Sequence, residues 1–244
     1  MKLTVYPVAV ITGGSKGIGR ATALTLAKQG ASVVINYSSD KSAADEVSSQ
    51  IGDKQCLAVQ ADAGSVAGVT ELVKQTVDRF GKIDILVPNA GILPMKTLEA
   101  TSEEDYDKCM TLNVKGPYFL VQKAIPHMQK GSRVVLLSTT LCAASTVTPN
   151  YMLYLTSKGA IEQMTRVMAK ELGPKDIAVN AVAPGPTATE LFLKGKPDNV
   201  TKTIAGFSPQ NRLGQPDEIA EAIAYLSVTS WMSGQIVRVN GGMA

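Results

Sequence analysis

A tyrosine and a lysine four residues apart are the first side chains whose types and spacing suit chemistry. Tyr154 and Lys158 open a segment of helical periodicity, and residues four apart lie on one helix face. A neighbouring ammonium favours a phenolate. We therefore expect Lys158 to lower the pKa of Tyr154 toward neutrality, where a phenol works as an acid or a base. Because a packed ring beside a solvated lysine has the same spacing, the pair alone does not establish catalysis.

A glycine-rich loop is the second chemical feature. Residues 12–19, Thr-Gly-Gly-Ser-Lys-Gly-Ile-Gly, join a predicted strand to a predicted helix. Glycines allow a tight turn and a close backbone approach, and free N–H groups at a helix start attract a pyrophosphate. The spacing differs from Gly-x-Gly-x-x-Gly and lacks a Gly-Lys-Ser/Thr ending, so a plain turn is the alternative. The predicted dinucleotide contacts are Gly13, Ser15, Lys16, Gly17, Ile18 and Gly19.

Short β-branched runs alternate with longer helical segments along the chain. This alternation predicts an α/β fold, with a doubly wound parallel sheet and helices on both faces. The first helix is predicted over residues 18–29, with Gly30 as its stop. The predicted strands are residues 8–11, 32–35, 56–60, 83–87, 133–137, 177–182 and 236–239.

The helix that contains Tyr154 has a predicted buried face and a predicted solvent face. The buried positions are Ile161, Met164, Val167, Met168 and Leu172. The solvent positions are Glu162, Arg166 and Lys170. Another helix is predicted over residues 108–128. Residues 184–209, which we call the lid segment, form the only long irregular stretch, and such a stretch in a compact domain is usually functional.

Composition and charge exclude several classes of protein. The chain has 244 residues, 45% of them hydrophobic, which suits one domain over residues 1–244. Lys and Arg total 24 against 21 Asp and Glu, and they are scattered. We therefore expect neither nucleic acid nor a membrane surface as a partner. No run approaches the roughly 20 apolar residues of a membrane helix.

The cysteines and the single histidine are poorly placed for disulfides or metal. Cys56, Cys109 and Cys142 are far apart and contain no Cys-x-x-Cys pair, and His127 has no clustered acidic or cysteine partner. Such a pattern is typical of neither a disulfide framework nor a zinc site. We expect no metal site, and a soluble protein of a reducing, cytoplasmic compartment.

Taken together, the motifs resemble those of the short-chain dehydrogenase/reductase family over nearly the whole chain. The chain looks most like its carbonyl reductases and 3-oxoacyl-carrier-protein reductases. The resemblance implies a Rossmann-like seven-stranded sheet and a homotetramer, with a dimer as the smaller alternative. One departure is Pro88, where the family commonly has asparagine. The matching motifs are residues 12–19, Pro88-Asn89-Ala90-Gly91, Asn113, Ser138, Tyr154 with Lys158, and Pro184-Gly185 with Thr187.

The same resemblance implies roles for four catalytic residues. Ser138 would hydrogen-bond the substrate oxygen, and Tyr154 would protonate it during reduction. Lys158 would also bind the nicotinamide ribose, and Asn113 would hold a water that links Lys158 to solvent. Hydride arriving at a carbonyl carbon builds negative charge on oxygen, which such donors stabilise. Taken singly, Ser138 is more simply a strand-end hydroxyl and Asn113 a turn residue.

The end of the second predicted strand indicates which cofactor is used. Asn36 stands where a dinucleotide fold places an acidic residue for the ribose of NAD. A neutral residue there does not repel the 2′-phosphate of NADP, as a carboxylate would, and Lys16 can pair its positive charge with that phosphate. We therefore expect NADP(H), unless Lys16 is simply solvated and Asn36 only ends a strand. The remaining predicted cofactor contacts are Tyr37, Ser38, Asp62 (at the adenine), Ala63, Asn89, Ala90, Gly91, Tyr154, Lys158, Pro184, Gly185, Thr187 and Thr189.

These observations predict an NADPH-dependent reductase of small-molecule carbonyls. The lid segment is apolar for a loop, so we expect an aromatic or medium-chain ketone, ketoester or aldehyde rather than a sugar. A 3-oxoacyl-carrier-protein reductase is one alternative. A non-catalytic NADP-binding sensor on the same fold is the other, because fold alone does not fix function. The predicted substrate contacts are Thr140, Cys142, Tyr151, Leu191 and Phe192.

Overall fold

A seven-stranded sheet forms the centre of the structure, a computed structural model that describes residues 6–145 and 147–244. Its strand order is β3-β2-β1-β4-β5-β6-β7, and every neighbouring pair is parallel. The fold-class prediction is confirmed. The strands are β1 (Val8–Ile11), β2 (Ser32–Tyr37), β3 (Cys56–Gln60), β4 (Ile83–Val87), β5 (Met128–Leu137), β6 (Ala178–Pro184) and β7 (Ile236–Val239).

Helices cover both faces of this sheet, which explains why its central strands are continuously apolar. All four residues of β1 are buried. Ile11 packs into the core beneath α1 and α9, whereas its neighbour Val10 packs into the core beneath α3, α5 and α6. The α-helices of the described residues are α1 (Gly17–Lys28), α2 (Lys41–Ile51), α3 (Val66–Phe80), α4 (Glu103–Met110), α5 (Gly116–Ala124), α6 (Met152–Leu172), α7 (Glu190–Leu193), α8 (Asp198–Ala205) and α9 (Pro216–Leu226).

The strand order reverses between β1 and β4, which lie side by side at the middle of the sheet. In open α/β sheets, ligands bind outside the carboxyl ends of the strands at such a reversal. The glycine loop leaves the carboxyl end of β1, and Asn89 follows the end of β4. The fold thus brings two of the predicted motifs to one edge.

The helix predicted over residues 108–128 is part of one helical run that begins earlier, at Glu103, and ends at His127. The chain forms α4, a π-helical turn (Thr111–Lys115), α5 and a 3₁₀ turn (Ile125–His127) before β5 begins at Met128. Gly116 packs so closely that an added Cβ would overlap the Ala63 carbonyl oxygen. Pro126 has no N–H to continue a helix. The run therefore stays helical throughout, with a π-helical turn in its middle and its end at Pro126 and His127.

The predicted faces of α6 need two corrections. Glu162, assigned to solvent, is only 8% exposed, and Val167, assigned to the core, is 53% exposed. α6 contacts α4 as well as β5 and β6, so its buried face is wider and rotated relative to the prediction. A buried carboxylate needs hydrogen-bond partners, and the site supplies them to Glu162.

The lid segment is less irregular than predicted. Pro184 ends β6, and α7 and α8 both lie within residues 184–209. The Thr189 side chain caps α7 by accepting from the Phe192 N–H. These two short helices carry apolar side chains over the carboxyl edge of the sheet. No helix in the part of the chain that the structure describes is long and apolar enough to cross a bilayer.

Candidate active site

Three of the predicted catalytic side chains meet at one cavity of about 580 Å³. Ser138 follows the last residue of β5, and Tyr154 and Lys158 lie on the first turns of α6. The Lys158 Nζ donates to the carbonyl oxygen of Leu137, at the end of β5, over 2.7 Å. That bond fixes the start of α6 against the strand that presents Ser138.

Burial controls the protonation of the tyrosine and the lysine. It raises the pKa of Tyr154 well above its ordinary value and lowers the pKa of Lys158 to about 8. The Lys158 Nζ lies 5.8 Å from the centre of the Tyr154 ring and is engaged with Leu137. The prediction that the pKa of Tyr154 is lowered toward neutrality is therefore wrong for this arrangement, because burial of the phenol, the largest cause of the shift, raises that pKa.

A carboxylate absent from the predicted site holds the Ser138 hydroxyl. Ser138 Oγ donates to Glu162 Oε1 over 3.1 Å, and Arg166 Nη2 lies 3.2 Å from Glu162 Oε2. The sequence did carry one signal, because Glu162 follows Lys158 by four residues, as Lys158 follows Tyr154. Glu162 thus orients a hydroxyl that faces the cavity.

Asn113 lies in the π-helical turn and is 1% exposed. Its Oδ1 accepts from the Ile92 N–H over 2.9 Å, and its Nδ2 donates to the Ile92 carbonyl over 2.9 Å and to Ser157 Oγ over 3.0 Å. Both ends of the amide are hydrogen-bonded within the fold, and the water expected at Asn113 stays a prediction. Asn113 ties the loop after β4 to α6, one residue before Lys158.

The glycine loop has backbone conformations that require glycine. Gly13 and Gly17 have φ angles of +61° and +52°, in the left-handed region. A Cβ on Gly19 would overlap the Gly13 carbonyl oxygen. Lys16 is the N-cap residue of α1, and its side chain accepts no hydrogen bond from the N–H groups of the first helical turn. The loop therefore forms a narrow cradle with free N–H groups, as an anion site needs.

Asn89 holds that cradle from the neighbouring strand. Its Nδ2 donates to the carbonyls of Thr12 and Gly13 over 2.9 and 3.2 Å. The N–H groups of Asn89 and Ala90 donate to Thr12 Oγ1, both over 3.0 Å. Asn89 and Thr12 therefore lock the ends of β1 and β4 together. The backbone donors after Pro88 remain paired despite the proline.

A second cavity, of about 920 Å³, lies on the β2 side of the cradle. Its lining includes Gly91 and Ile92, which also line the first cavity. An elongated ligand can thus pass from one to the other across the carboxyl edge of the sheet. Asp62 accepts from the Gly64 N–H over 2.9 Å. The predicted residues on this wall are Gly13, Asn36, Ser38, Asp62, Ala63, Ala90 and Gly91.

The prediction for Asn36 needs correction. β2 continues to Tyr37, so Asn36 lies within the strand, and it is 2% exposed. Its Nδ2 donates to the Ala61 carbonyl over 2.7 Å, which joins β2 to the end of β3. The amide is committed to the fold, and Tyr37, 7% exposed, is the residue that ends the strand.

Lys16 has two acidic partners. Its Nζ lies 2.8 Å from Asp40 Oδ2, next to the N-terminus of α2, and 3.1 Å from Glu190 Oε2 of α7. The Lys16 side chain is about half exposed. It therefore spans the gap between the loop after β2 and the lid segment. An anion bound there would compete with these carboxylates.

Most of the other predicted residues reach the first cavity. Cys142 does not line it, and its Sγ lies 3.9 Å from Ser138 Oγ, behind the serine. Ser15, Gly17 and Gly19 shape the cradle without lining either cavity. The predicted residues that line the first cavity are Ile18, Asn89, Gly91, Thr140, Tyr151, Pro184, Gly185, Thr187, Thr189, Leu191 and Phe192. Lining residues that the prediction missed include Leu93, Val147, Lys196, Val200 and Met243.

Known proteins are similar to this chain over nearly their whole lengths. The family model described as "Enoyl-(Acyl carrier protein) reductase" matches residues 13–244. A short-chain dehydrogenase/reductase from Serratia marcescens BCRC 10948 is 32% identical, with a TM-score of 0.92 over 98% of each chain. The chain belongs to the short-chain dehydrogenase/reductase family. The family resemblance of its motifs is confirmed.

Reductases are among the relatives of this short-chain dehydrogenase/reductase. The hydroxynaphthalene reductase-like protein Arp2 of Metarhizium anisopliae (strain ARSEF 549) is 38% identical over 96% of this chain and 94% of the relative. Versicolorin reductase 1 of Aspergillus parasiticus is 37% identical over 96% and 95%. A blue fluorescent protein from a metagenomic library, solved in complex with NADPH, is 31% identical, with a TM-score of 0.92 over 98% of each chain.

Proposed function

We propose that this chain is an NADP(H)-dependent reductase that interconverts a carbonyl and an alcohol. The observation that carries the proposal is the meeting of Ser138, Tyr154 and Lys158 at a cavity that continues, past Gly91, into a second one. A proton donor, a hydroxyl and a cation thus face a space long enough for both a substrate and a dinucleotide. A sensor has no physical need for that combination.

The residues present fit a dinucleotide. The free N–H groups of the first turn of α1 suit the pyrophosphate, because the helix dipole also favours an anion there. Ser38 and Asp62 line the cavity for the adenosine end, and Gly185 and Thr189 line the one for the nicotinamide end. The NADPH bound to the related metagenomic protein supports this cofactor. For a 2′-phosphate the positive charge comes from Lys16.

When bound, the reduced nicotinamide supplies hydride to the carbonyl carbon while the C=O electron pair moves onto oxygen. Tyr154 gives that oxygen its proton. The raised pKa of Tyr154 keeps the phenol protonated at neutral pH, and the phenol gives up its proton because the alkoxide formed on the substrate is the stronger base. The resulting phenolate recovers a proton from solvent, and an ammonium on Lys158 stabilises it in the meantime.

Ser138 contributes a second hydrogen bond to the developing oxyanion. Its hydroxyl donates to Glu162 in the structure, so a substrate oxygen must compete for the same proton. The hydrogen bond from Ser138 to the substrate oxygen becomes stronger as negative charge grows on that oxygen, because hydrogen bonds to charged groups are stronger than those to neutral groups. Ser138 therefore favours the transition state over the bound ketone.

The lid segment indicates the substrate class. Leu191, Phe192, Val200 and Ile204 line the cavity from α7 and α8, and such a wall favours apolar or aromatic carbonyls over sugars. The reductase names of the relatives, one of which specifies a hydroxynaphthalene, agree with an aromatic substrate. We propose that α7 and α8 close over the bound carbonyl compound.

A carbonyl panel tests the proposal. Purified protein is mixed with NADPH and with aryl ketones, ketoesters, hexoses and a 3-oxoacyl thioester, and NADPH oxidation is followed. We expect turnover of aryl ketones or ketoesters at the highest kcat/KM. Higher efficiency with the thioester would support the carrier-protein alternative, and with hexoses it would overturn the apolar-substrate assignment. NADPH binding without any turnover would support the sensor.

We also propose a homotetramer as the working assembly. Large aromatic side chains are exposed on α5, on α9 and in the segment that follows α9. Tyr118 is 48% exposed, Tyr225 61% and Trp231 98%. Exposed apolar surface of this kind suits a symmetric interface. Sedimentation velocity should show a tetramer at micromolar concentration, and a monomer would contradict the proposal.

A further inference from the structure

The cavity has an unusual charge balance for an apolar pocket. Its lining contains three lysines, Lys158, Lys194 and Lys196, and no aspartate or glutamate among the residues that the structure describes. Lys158 belongs to the catalytic group, and Lys194 is exposed. Lys196 lies on the lid segment, on another wall from Ser138 and Tyr154. Amines therefore lie on two walls of the cavity.

Lys196 is held against the apolar wall. It lies in the turn between α7 and α8, where Gly195 has a φ of +74°. Its Nζ donates to the Phe192 carbonyl over 2.6 Å and lies 4.4 Å from the centre of the Phe192 ring. An ammonium has three donors, and this carbonyl takes one of them. The side chain is half-buried and positioned at the cavity.

No carboxylate neutralises this amine. Across residues 6–145 and 147–244, no acidic oxygen lies within 4 Å of Lys196 Nζ. Burial lowers its pKa, and no acidic group raises it. A partly dehydrated ammonium beside apolar side chains is costly unless an anion pairs with it. Lys16, by contrast, already has both Asp40 and Glu190.

We propose that Lys196 binds a carboxylate of the substrate, so that the preferred substrate is an apolar carbonyl compound with an acid group away from the reacting carbon. This inference rests on the proposed reductase function and names its substrate class. The carboxylate completes the hydrogen bonding of the ammonium, while Phe192 and Ile204 contact the apolar body of the substrate. Lys196 then fixes which end of the molecule enters toward Tyr154.

The test compares ketones that differ only in charge. 4-Acetylbenzoate, 4-acetylbenzamide and acetophenone are reduced with NADPH by the wild type, Lys196→Met, Lys196→Arg and the control Lys202→Met, which removes an exposed amine from α8. We expect the wild type to prefer the benzoate over the benzamide roughly tenfold or more, the scale of a hydrogen bond to a charged group. In Lys196→Met that preference should disappear because the KM for the benzoate rises. Lys196→Arg and Lys202→Met should keep most of it.

Three results would overturn the inference. The first is a wild type without preference for the benzoate. The second is an equal loss on all three ketones in Lys196→Met, as expected if Lys196 only caps α7. The third is a rise confined to the KM of NADPH, which would place the amine at the cofactor.

Failure of the reductase function would look different. If the wild type reduces none of the ketones, titration calorimetry with 4-acetylbenzoate still decides the point. Binding by the wild type that is lost in Lys196→Met would support the carboxylate site without the reaction. Equal binding by both proteins, or by neither, would refute it.

Discussion

Replacing Lys158 by methionine should change how stability depends on pH. The amine is 7% exposed and its pKa is lowered to about 8 from 10.5. Between about pH 8 and pH 10.5 the unfolded chain therefore binds more protons than the folded one, and the stability of the wild type rises with pH through that window. Below it, the full cost of burying the charge is present. Methionine has no such cost.

The expected size follows from the two pKa values. About 1.4 kcal/mol for each tenfold change in proton affinity gives about 3 kcal/mol over the window. Losing the bond to the Leu137 carbonyl shifts the stability of Lys158→Met by a constant amount, so it cancels in the pH dependence. Urea unfolding from about pH 7 to about pH 11 should show that the free energy of unfolding of the wild type rises by about 3 kcal/mol relative to that of Lys158→Met.

The control is Lys170→Met, which removes an exposed amine from the same helix and should not reproduce this curve. A difference between the wild type and Lys158→Met that stays constant with pH would refute the burial of a titrating amine. A difference that changes in the opposite direction would mean that folding raises the Lys158 pKa, with a nearby anion as the cause.

Four further variants test Asn36, Lys16 and Glu162. Asn36→Asp should lower the free energy of unfolding by about 3 kcal/mol, because a carboxylate would face the Ala61 carbonyl; a wild-type urea midpoint would contradict this. Lys16→Ala should reduce the kcat/KM preference for NADPH over NADH about tenfold, and an unchanged ratio would remove Lys16 from the cofactor site. Glu162→Ala should lower kcat about fivefold with the KM of NADPH unchanged, whereas Glu162→Gln keeps an acceptor for Ser138 and should stay within about twofold. Equal losses in both Glu162 variants would refute the positioning role.

The sequence could predict the parts of this fold that depend on local pattern. The bounds predicted for β1, β3, β4 and β7 match the observed ones, because short runs rich in β-branched and apolar residues are typical of strands. The meeting of Ser138 with Tyr154 follows from the fold class, since β5 ends where α6 begins on the same edge of a parallel sheet.

What the sequence could not predict depends on partners far along the chain. Asn36 can be buried because the Ala61 carbonyl accepts a hydrogen bond from its Nδ2. Glu162 can be buried because Ser138 Oγ donates a hydrogen bond to its carboxylate. The spacing of Tyr154 and Lys158 predicts a lowered pKa for the phenol, yet burial by surrounding elements raises the pKa of Tyr154. These hydrogen bonds and this desolvation arise only once the chain has folded.

Tyr154 delivers the proton in the proposed reaction, and Tyr154→Phe, measured beside the control Tyr151→Phe, tests that role. Both side chains line the cavity, with ring centres 6.5 Å apart, so both variants keep a ring in place. With an aryl ketone and NADPH, Tyr154→Phe should lose about a hundredfold or more in kcat while its Kd for NADPH stays within about threefold. Tyr151→Phe should retain most of its turnover. Near-normal ketone reduction by Tyr154→Phe would contradict the assignment of the proton donor.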